Sequence, residues 1–480
     1  MNRDSPEKGA YGDGSPIAAF ATPLAESALA VIRCSGDGAV ELAAPFFSRP
    51  EKLKTAAGHS IVHGWIRHEG EKIDEVLVSV YRQPKSYTGE EGLDISCHGG
   101  IAAARGVMKI LRKAGFRNAL PGEFTFRAFM NGRIDLTRAE SVMEMVSAKT
   151  GAGLRGAALR LSGALENEIR SLRDKLTDIL AETEIYLDYS EDEFVPGGAE
   201  DPGGMAGEEG GGMPGRALAE EVLARLGALA ASFKRERLYQ DGALAVIAGK
   251  PNAGKSSLFN RLIGEDRAIV DEAPGTTRDF IEAWISIEGI PVRLADTAGL
   301  RDGLSPDSVE NTGMDRSRAL MAEADLVLCV TDGTEKYEHE KGFPFKGETP
   351  RLFIWNKADL PSCPAPPRGF LPVSAITGSG IPELCGAIAA ALEKTAEGPH
   401  APGGPGEMTG AAPGTQRQKE LIDEAAAPLA EALDLADRGE PLDIIAPLLR
   451  ESANALGEIT GEVSSAGILE KMFSKFCVGK

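Results

Sequence analysis

"GALAVIAGKPNAGKSSLFNRLIG", residues 242–264, joins an apolar run, a glycine-bearing turn and an amphipathic segment. Within it "GKPNAGKS" (Gly249–Ser256) matches GxxxxGK[ST], a motif that carries meaning only between a strand and a helix. The apolar run before it reads as a buried strand and "SSLFNRLIG" as an amphipathic helix, so the context is met. Gly249 and Gly254 let backbone N–H groups converge on phosphate oxygens. Lys255 supplies positive charge to the β and γ phosphates, and Ser256 offers its hydroxyl to Mg²⁺. From residue 241 to about 395 strands and helices then alternate, the pattern of an inserted Ras-like P-loop domain of the doubly wound α/β class.

Three more segments follow in the order such a domain requires. "NKAD" (356–359) closes the apolar strand "RLFIWN". There the Asp359 carboxylate can accept from both the ring N–H and the exocyclic amine of guanine. Adenine would leave it unpaired, a mismatch of about 1–3 kcal/mol. In "DEAPGTTRD" (271–279), Thr277 is the candidate switch threonine that senses Mg²⁺ and the γ phosphate. Asp296 of "DTAG" would hold the metal's outer shell, and Gly299 the γ phosphate through its N–H. The expected nucleotide contacts are therefore Asn252, Ala253, Gly254, Lys255, Ser256 and Ser257 in the first loop, and Asp271, Glu272, Ala273, Pro274, Gly275, Thr276 and Thr277 in the second. Asp296, Thr297, Ala298 and Gly299 follow, then Asn356, Lys357, Ala358 and Asp359, and finally Ser374, Ala375 and Ile376. Ser256 and Thr277 are the Mg²⁺ ligands. Leu300 stands where Ras-type enzymes carry a water-orienting glutamine, so hydrolysis needs another polar group. "PDSVENTGMDR" offers Asp307, Glu310 and Asp315.

The remaining sequence frames this domain. At 480 residues the chain suggests roughly three domains. Asp plus Glu outnumber Lys plus Arg by 72 to 52, a formal charge of −20 that argues against a general nucleic-acid coat. The six cysteines are scattered with no CxxC pair, so they suggest neither a disulfide framework nor a zinc site and read as those of a reducing cytoplasm. Residues 1–16 lack the apolar core of a signal peptide and read as a disordered N-terminus; no later run approaches a membrane span. Residues 17–132 mix strands ("ALAVIRCSG", "EVLVSVYR") with an amphipathic helix ("GIAAARGVMKILRKAG"), an α+β domain. A helical region occupies 133–240, its Leu165, Ile169, Leu172, Leu176 and Ile179 spaced as a packing seam, with a Gly/Pro-rich insertion at 196–215. A second such stretch (397–414) opens the final segment, 396–480, which is helical again and offers Leu429, Leu433, Ile444, Ile445, Leu448 and Leu449 for packing. The economical solution is one helical domain interrupted by the α/β unit.

Several segments together resemble the MnmE/TrmE family of tRNA-modification GTPases: "SYTGEEGLDISCHGG" (86–100), "PGEFTFRAFMNGRIDLTRAE" (121–140), "GKPNAGKSSLFN", "APGTTRD" (273–279) and "LGEITGEVSSAGILEKMFSKFCVGK" (456–480). The resemblance implies a homodimer whose G domains meet around a K⁺ ion, with Asn252, Asp271, Ala273 and Thr276 at the K⁺ site and Glu310 orienting the water. It also implies an N-terminal folate-binding and dimerisation domain that holds 5-formyl- or methylene-tetrahydrofolate through Arg33, Asp94, Arg133 and Lys480. Asp94 stands where the family pattern has Glu. The partners implied are tRNA and an FAD-containing MnmG/GidA-type protein in a heterotetramer. Their joint product is a carboxymethylaminomethyl-type group on carbon 5 of the wobble uridine. Cys477 of "FCVGK" fits either a thiolate role or buried packing, and His98 of "CHGG" a structural hydrogen bond. The rival reading is an Era/EngA-like ribosome-assembly GTPase, which calls for a basic GxxG-bearing RNA module that the sequence does not display.

Overall fold

In the segment Glu71–Tyr81 buried side chains alternate with wetter ones, as a strand packed on one face demands. The computed structural model describes residues 11, 14–188, 213–269, 281–296, 319–335, 349–396, 411–462 and 466–479. The chain divides into two units, Met1–Met143 with Leu456–Lys480, and Glu144–Ala455.

The first unit holds a sheet of β1 (Ile17–Phe20), β2 (Leu29–Ser35), β3 (Ser60–His68), β4 (Glu71–Tyr81), β5 (Gly92–His98) and β6 (Arg117–Asn118). Their order is β3-β4-β5-β2-β1-β6; β1 and β6 run parallel and the other pairs antiparallel. Helices α1 (Ala39–Ala43), α2 (Pro50–Lys54) and α3 (Ile101–Ala114) contribute Val40, Leu53, Val107 and Leu111 to a core with Ile32, Val78, Val80 and Ile95. In α4 (Glu123–Met130) the fully buried Glu123 is neutralised by Arg117 (2.6 Å) and Arg127 (2.9 Å), and Arg127 also reaches Glu90 (3.1 Å). A buried carboxylate is tolerable only with such partners. The chain returns to this unit in a last helix, Ala466–Phe473, whose Phe473 packs edge-on against Phe126. Gly122, at φ +68, lets that return approach: a Cβ there would lie 2.7 Å from the Phe473 carbonyl.

In the second unit the expected seam is present. Leu165, Ile169, Leu172, Leu176 and Ile179 of the helix Ala164–Asp188 are all buried, facing the helix Arg216–Asp241. Numbered in chain order these are α7 and α8, after α5 (Leu136–Ser147) and α6 (Gly151–Leu161), where Thr150 caps α6 by accepting from the Gly153 N–H. Arg160, wholly buried, bridges Glu144 (2.7 Å) and Glu236 (3.0 Å) and so ties α5, α6 and α8. From α8 the chain enters a second sheet: β7 (Ala243–Gly249), β8 (Ile281–Ile287), β9 (Ile290–Asp296), β10 (Leu326–Asp332), β11 (Arg351–Asn356) and β12 (Phe370–Pro372), in the order β12-β11-β10-β7-β9-β8. All pairs are parallel except β8 with β9. Helices α9 (Lys255–Arg267, interrupted at Gly264) and α10 (Ile381–Ala396) pack on it through Leu258, Leu262, Leu384 and Ile388.

The helix Gln416–Asp437 (α11) starts in a capping box of Thr415 and Gln418 and lies along α8. Helices before and after the α/β insert therefore pack on one another, as the sequence suggests. Leu429, Leu433, Ile445 and Leu449 are buried there, Leu448 partly so, whereas Ile444 of α12 (Leu442–Thr460) is exposed, on the outer face of its helix. The α/β insert is fastened to the helices by Tyr239, whose hydroxyl donates to Glu393 (2.6 Å), and by Lys149, whose ammonium lies over the Trp284 ring. Residues 1–10, 189–212 and 397–410, which include most of the N-terminal segment and of both Gly/Pro-rich stretches, lie outside the described residues. Among the described residues no helix is long and apolar enough to cross a membrane.

Candidate functional site

β7 is buried along Ala243–Ala248 and ends at Gly249, where a side chain would strike the Val330 carbonyl of β10. The loop then turns through Asn252, an exposed residue at φ +63, and Gly254 at φ +89. Gly254 has no room for a Cβ, which would lie 2.2 Å from the Asn356 side-chain nitrogen. Lys255 opens α9 and donates from Nζ to the Lys250 carbonyl (2.9 Å), spanning the loop where phosphates would be cradled. Ser256 donates from Oγ to Asp296 Oδ2 (2.8 Å); Asp296 is fully buried at the end of β9, opposite Ile247 of β7. A hydroxyl and a carboxylate so paired at the carboxyl ends of parallel strands form an all-oxygen donor set that suits Mg²⁺. Ala253 is buried beneath the loop and Ser257 exposed on the first turn of α9.

The corner expected to read guanine is built around Asn356, 2% exposed at the end of β11. Its Nδ2 donates to the Ala253 carbonyl (2.9 Å), and its Oδ1 accepts from the Ala375 N–H (3.1 Å). One amide thus holds the phosphate loop to the loop carrying Ser374, Ala375 and Ile376. Lys357 adopts φ +64, the Ala358 N–H donates to Val373 O (3.1 Å), and Asp359 is left exposed with its carboxylate open to a ligand. Ser374 turns its own loop by accepting from the Thr377 N–H (3.0 Å). Arg261 of α9 completes the frame, donating from Nε to Ala375 O (2.9 Å) and from Nη2 to Ile376 O. Sequence reading missed Arg261, because its reach to the Ala375 loop, 114 residues away in the chain, leaves no local signal.

Asp271, Glu272, Ala273, Pro274, Gly275, Thr276 and Thr277 lie outside the described residues, as do Thr297, Ala298, Gly299, Leu300, Glu310 and Lys480. The structure therefore brings together Asn252–Ser257, Asp296, Asn356–Asp359 and Ser374–Ile376 as one site.

In the first unit Arg33 and Asp94 face each other across β2 and β5, with Nε 3.1 Å from Oδ1. Tyr81 donates its hydroxyl to the other Asp94 oxygen (3.3 Å), and burial, then Asp94 itself, raises the Tyr81 pKa. The Arg33 guanidinium also lies 5.9 Å from the Tyr87 ring centroid. Arg133 is exposed beside Gly89, whose loop carries Tyr87. His98 is indeed a hydrogen-bonder, its Nδ1 lying 2.6 Å from Asp74. Cys477 is exposed, so the packing role it was offered is not the one it has.

Fold and site together define a P-loop guanine-nucleotide-binding protein whose G domain interrupts a helical domain. Residues 16–133 match the family model described as GTP-binding protein TrmE N-terminus, and residues 136–477 that of the MnmE helical domain. The chain is similar to the tRNA modification GTPase MnmE of Treponema denticola, 40% identical over 98% of this chain and 99% of that one. To the protein of the same name from Thermus thermophilus it is 39% identical over 97% and 99%. Among solved structures it is similar to Aquifex aeolicus Era bound to GDP and aluminium fluoride, at 23% identity over 39% of this chain and 66% of that one, TM-score 0.25. The chain belongs to the MnmE family of tRNA modification GTPases.

Proposed function

We propose that the chain hydrolyses GTP and that this turnover serves the installation of a carboxymethylaminomethyl-type group on carbon 5 of the wobble uridine of certain tRNAs. The observation that carries the nucleotide half is Asn356, which fastens the Lys255-bearing phosphate loop to the Ala375 loop and leaves Asp359 open for a guanine edge. Family membership over nearly the whole chain supports the tRNA half, and the match of residues 16–133 favours it over ribosome assembly.

Chain residues take these roles in the proposal. Backbone N–H groups of Asn252–Ser257 receive the phosphates, and Ser256 with Thr277 holds Mg²⁺, which supplies charge neutralisation at the β and γ oxygens. Asn252, Asp271, Ala273 and Thr276 hold K⁺ between two G domains of a homodimer; a monovalent cation there supplies positive charge as charge grows in the transition state. Glu310 orients the water that Leu300 cannot. In the N-terminal domain Arg33, Asp94, Arg133 and Lys480 hold a tetrahydrofolate, which supplies the one-carbon unit. Arginine and lysine suit its glutamate tail, and Asp94 the amino-pyrimidine edge. An MnmG/GidA-type FAD protein is the proposed partner, and the cytoplasm the site of action.

Nucleoside analysis of tRNA tests the reading. Cells lacking the gene are expected to lose the wobble-uridine substituent and to regain it with the intact gene but not with Lys255→Ala. Unaltered tRNA in the deletion strain would refute the tRNA assignment.

A further inference from the structure

β10 and β11 run parallel and in register, Asp332 opposite Asn356, so both strands end at the edge where the base is proposed to sit. The residue after Asp332 is clamped to β11: the Gly333 N–H donates to Asn356 O (2.9 Å), and a Cβ on Gly333 would lie 2.7 Å from that oxygen and 2.7 Å from Trp355 Nε1. This turn fixes Asp332 against the start of "NKAD" with no slack.

The Asp332 carboxylate is itself fully used. Its Oδ1 accepts from the Thr334 N–H (2.9 Å) and the Thr334 hydroxyl (2.6 Å), and its Oδ2 accepts from Lys357 Nζ (2.5 Å). Asp332 is 8% exposed, whereas the Lys357 side chain is 31% exposed, so a buried carboxylate holds a more exposed ammonium. Burial pushes the Asp332 pKa up, but the bonds from Lys357 and Thr334 outweigh it and hold the carboxyl below its ordinary value. It is therefore ionised at neutral pH.

Lysine carries four side-chain torsions and by itself would sweep a wide volume. Here the ammonium is anchored on the neighbouring strand while the backbone is held at φ +64, so the stem runs from the end of β11 toward the end of β10. In the proposed function that stem borders the purine plane.

We infer that Asp332 is a positioning residue for guanine-nucleotide binding: anchored by Thr334, it orders the Lys357 side chain along the base site before the nucleotide arrives. This rests on the reading of Asn356–Asp359 as the guanine corner. Asp332 touches no nucleotide atom in this scheme and acts through Lys357 alone. Preorganisation of this kind lowers the ordering cost of binding and lengthens residence.

The test is dissociation of fluorescent N-methylanthraniloyl-GDP from the full-length protein, followed by stopped flow after a chase with GDP. Asp332→Asn is nearly isosteric: its amide oxygen still accepts from Thr334, but its NH₂ cannot accept from Lys357. Loss of a charge-assisted bond at a partly exposed site is expected to speed dissociation about tenfold. Lys357→Met should do the same, and the double variant should be no faster than the faster single one, since both remove one interaction. A merely structural role for Asp332 would instead give its full factor again in the Lys357→Met background, and that result overturns the inference. So does unchanged or slower dissociation from Asp332→Asn, which would make the pair a lock that the nucleotide must open. Should that variant not fold, Thr334→Val removes only one bond from the anchor and is expected to speed dissociation about twofold; an unchanged rate there counts against the inference. Failure of the unmodified chain to bind the probe overturns the guanine reading, and the inference with it.

Discussion

Asn356→Ala is the substitution that strikes the nucleotide site at its joint. Asn356 is 2% exposed and its side chain makes two hydrogen bonds, to Ala253 O at 2.9 Å and from the Ala375 N–H at 3.1 Å. Each is worth about 1 kcal/mol net, and the buried Ala375 N–H left without its acceptor adds about 1–2 kcal/mol more, for a loss of about 3–4 kcal/mol. For a unit the size of Glu144–Ala455, with an unfolding entropy of about 2.1 cal/mol/K per residue, that corresponds to a fall of about 5–6 °C in Tm. Differential scanning fluorimetry of the whole protein reads it, and the transition to follow is the one that GDP raises, since a ligand stabilises only the unit that binds it. Nucleotide affinity should fall together with stability, because both loops the amide joins contact the ligand in the proposed site. An unchanged transition with unchanged GDP affinity would refute the claim that this amide holds the phosphate loop to the base loop. A large stability loss with intact affinity would show that Asn356 is ordinary core.

Two further outcomes follow from the same geometry. Ser256→Ala removes the hydroxyl 2.8 Å from Asp296 and is expected to raise the Mg²⁺ concentration needed for half-maximal turnover about tenfold or more, while GDP binding in EDTA changes little; titration of Mg²⁺ in a phosphate-release assay measures it. Tyr239 has its pKa pushed up to about 12, first by burial and then by the Glu393 carboxylate that accepts a hydrogen bond from its hydroxyl. A raised folded-state pKa means that its contribution is complete below the ordinary value near 10 and is lost as pH rises through about 12. Urea midpoints should therefore show the unmodified protein losing its advantage over Tyr239→Phe only above about pH 10, and a parallel pH dependence of the two would show that the bond to Glu393 contributes nothing.

Much of the α/β unit was legible because its cues are local. The P-loop needs Gly249 and Gly254 at fixed spacing, and the structure gives both the open backbone geometry that a Cβ would block. The seam from Leu165 to Ile179 was equally readable, since 3.6-residue periodicity encodes burial directly. What escaped is non-local. Nothing in the neighbourhood of Arg261 or Asp332 says that one will reach across to Ala375 O and the other to Lys357, because those meetings depend on strand order and register. The grouping of Leu456–Lys480 with the N-terminal unit is of the same kind: Phe473 and Phe476 find Phe126 and Tyr11 only through tertiary topology. In the candidate folate cluster, Arg33 and Asp94 were readable singly, but their cross-strand pairing and the Tyr81 hydroxyl on the second Asp94 oxygen required the sheet.

The central claim is that this chain is a GTP hydrolase whose specificity lies in "NKAD". Steady-state phosphate release by the purified full-length protein, with GTP or ATP in KCl or NaCl, tests it most directly. Turnover of GTP that is faster in KCl, with no turnover of ATP and abolition by Lys255→Ala, is the predicted result. Equal hydrolysis of ATP and GTP, or GTP turnover untouched by Lys255→Ala, would contradict the account.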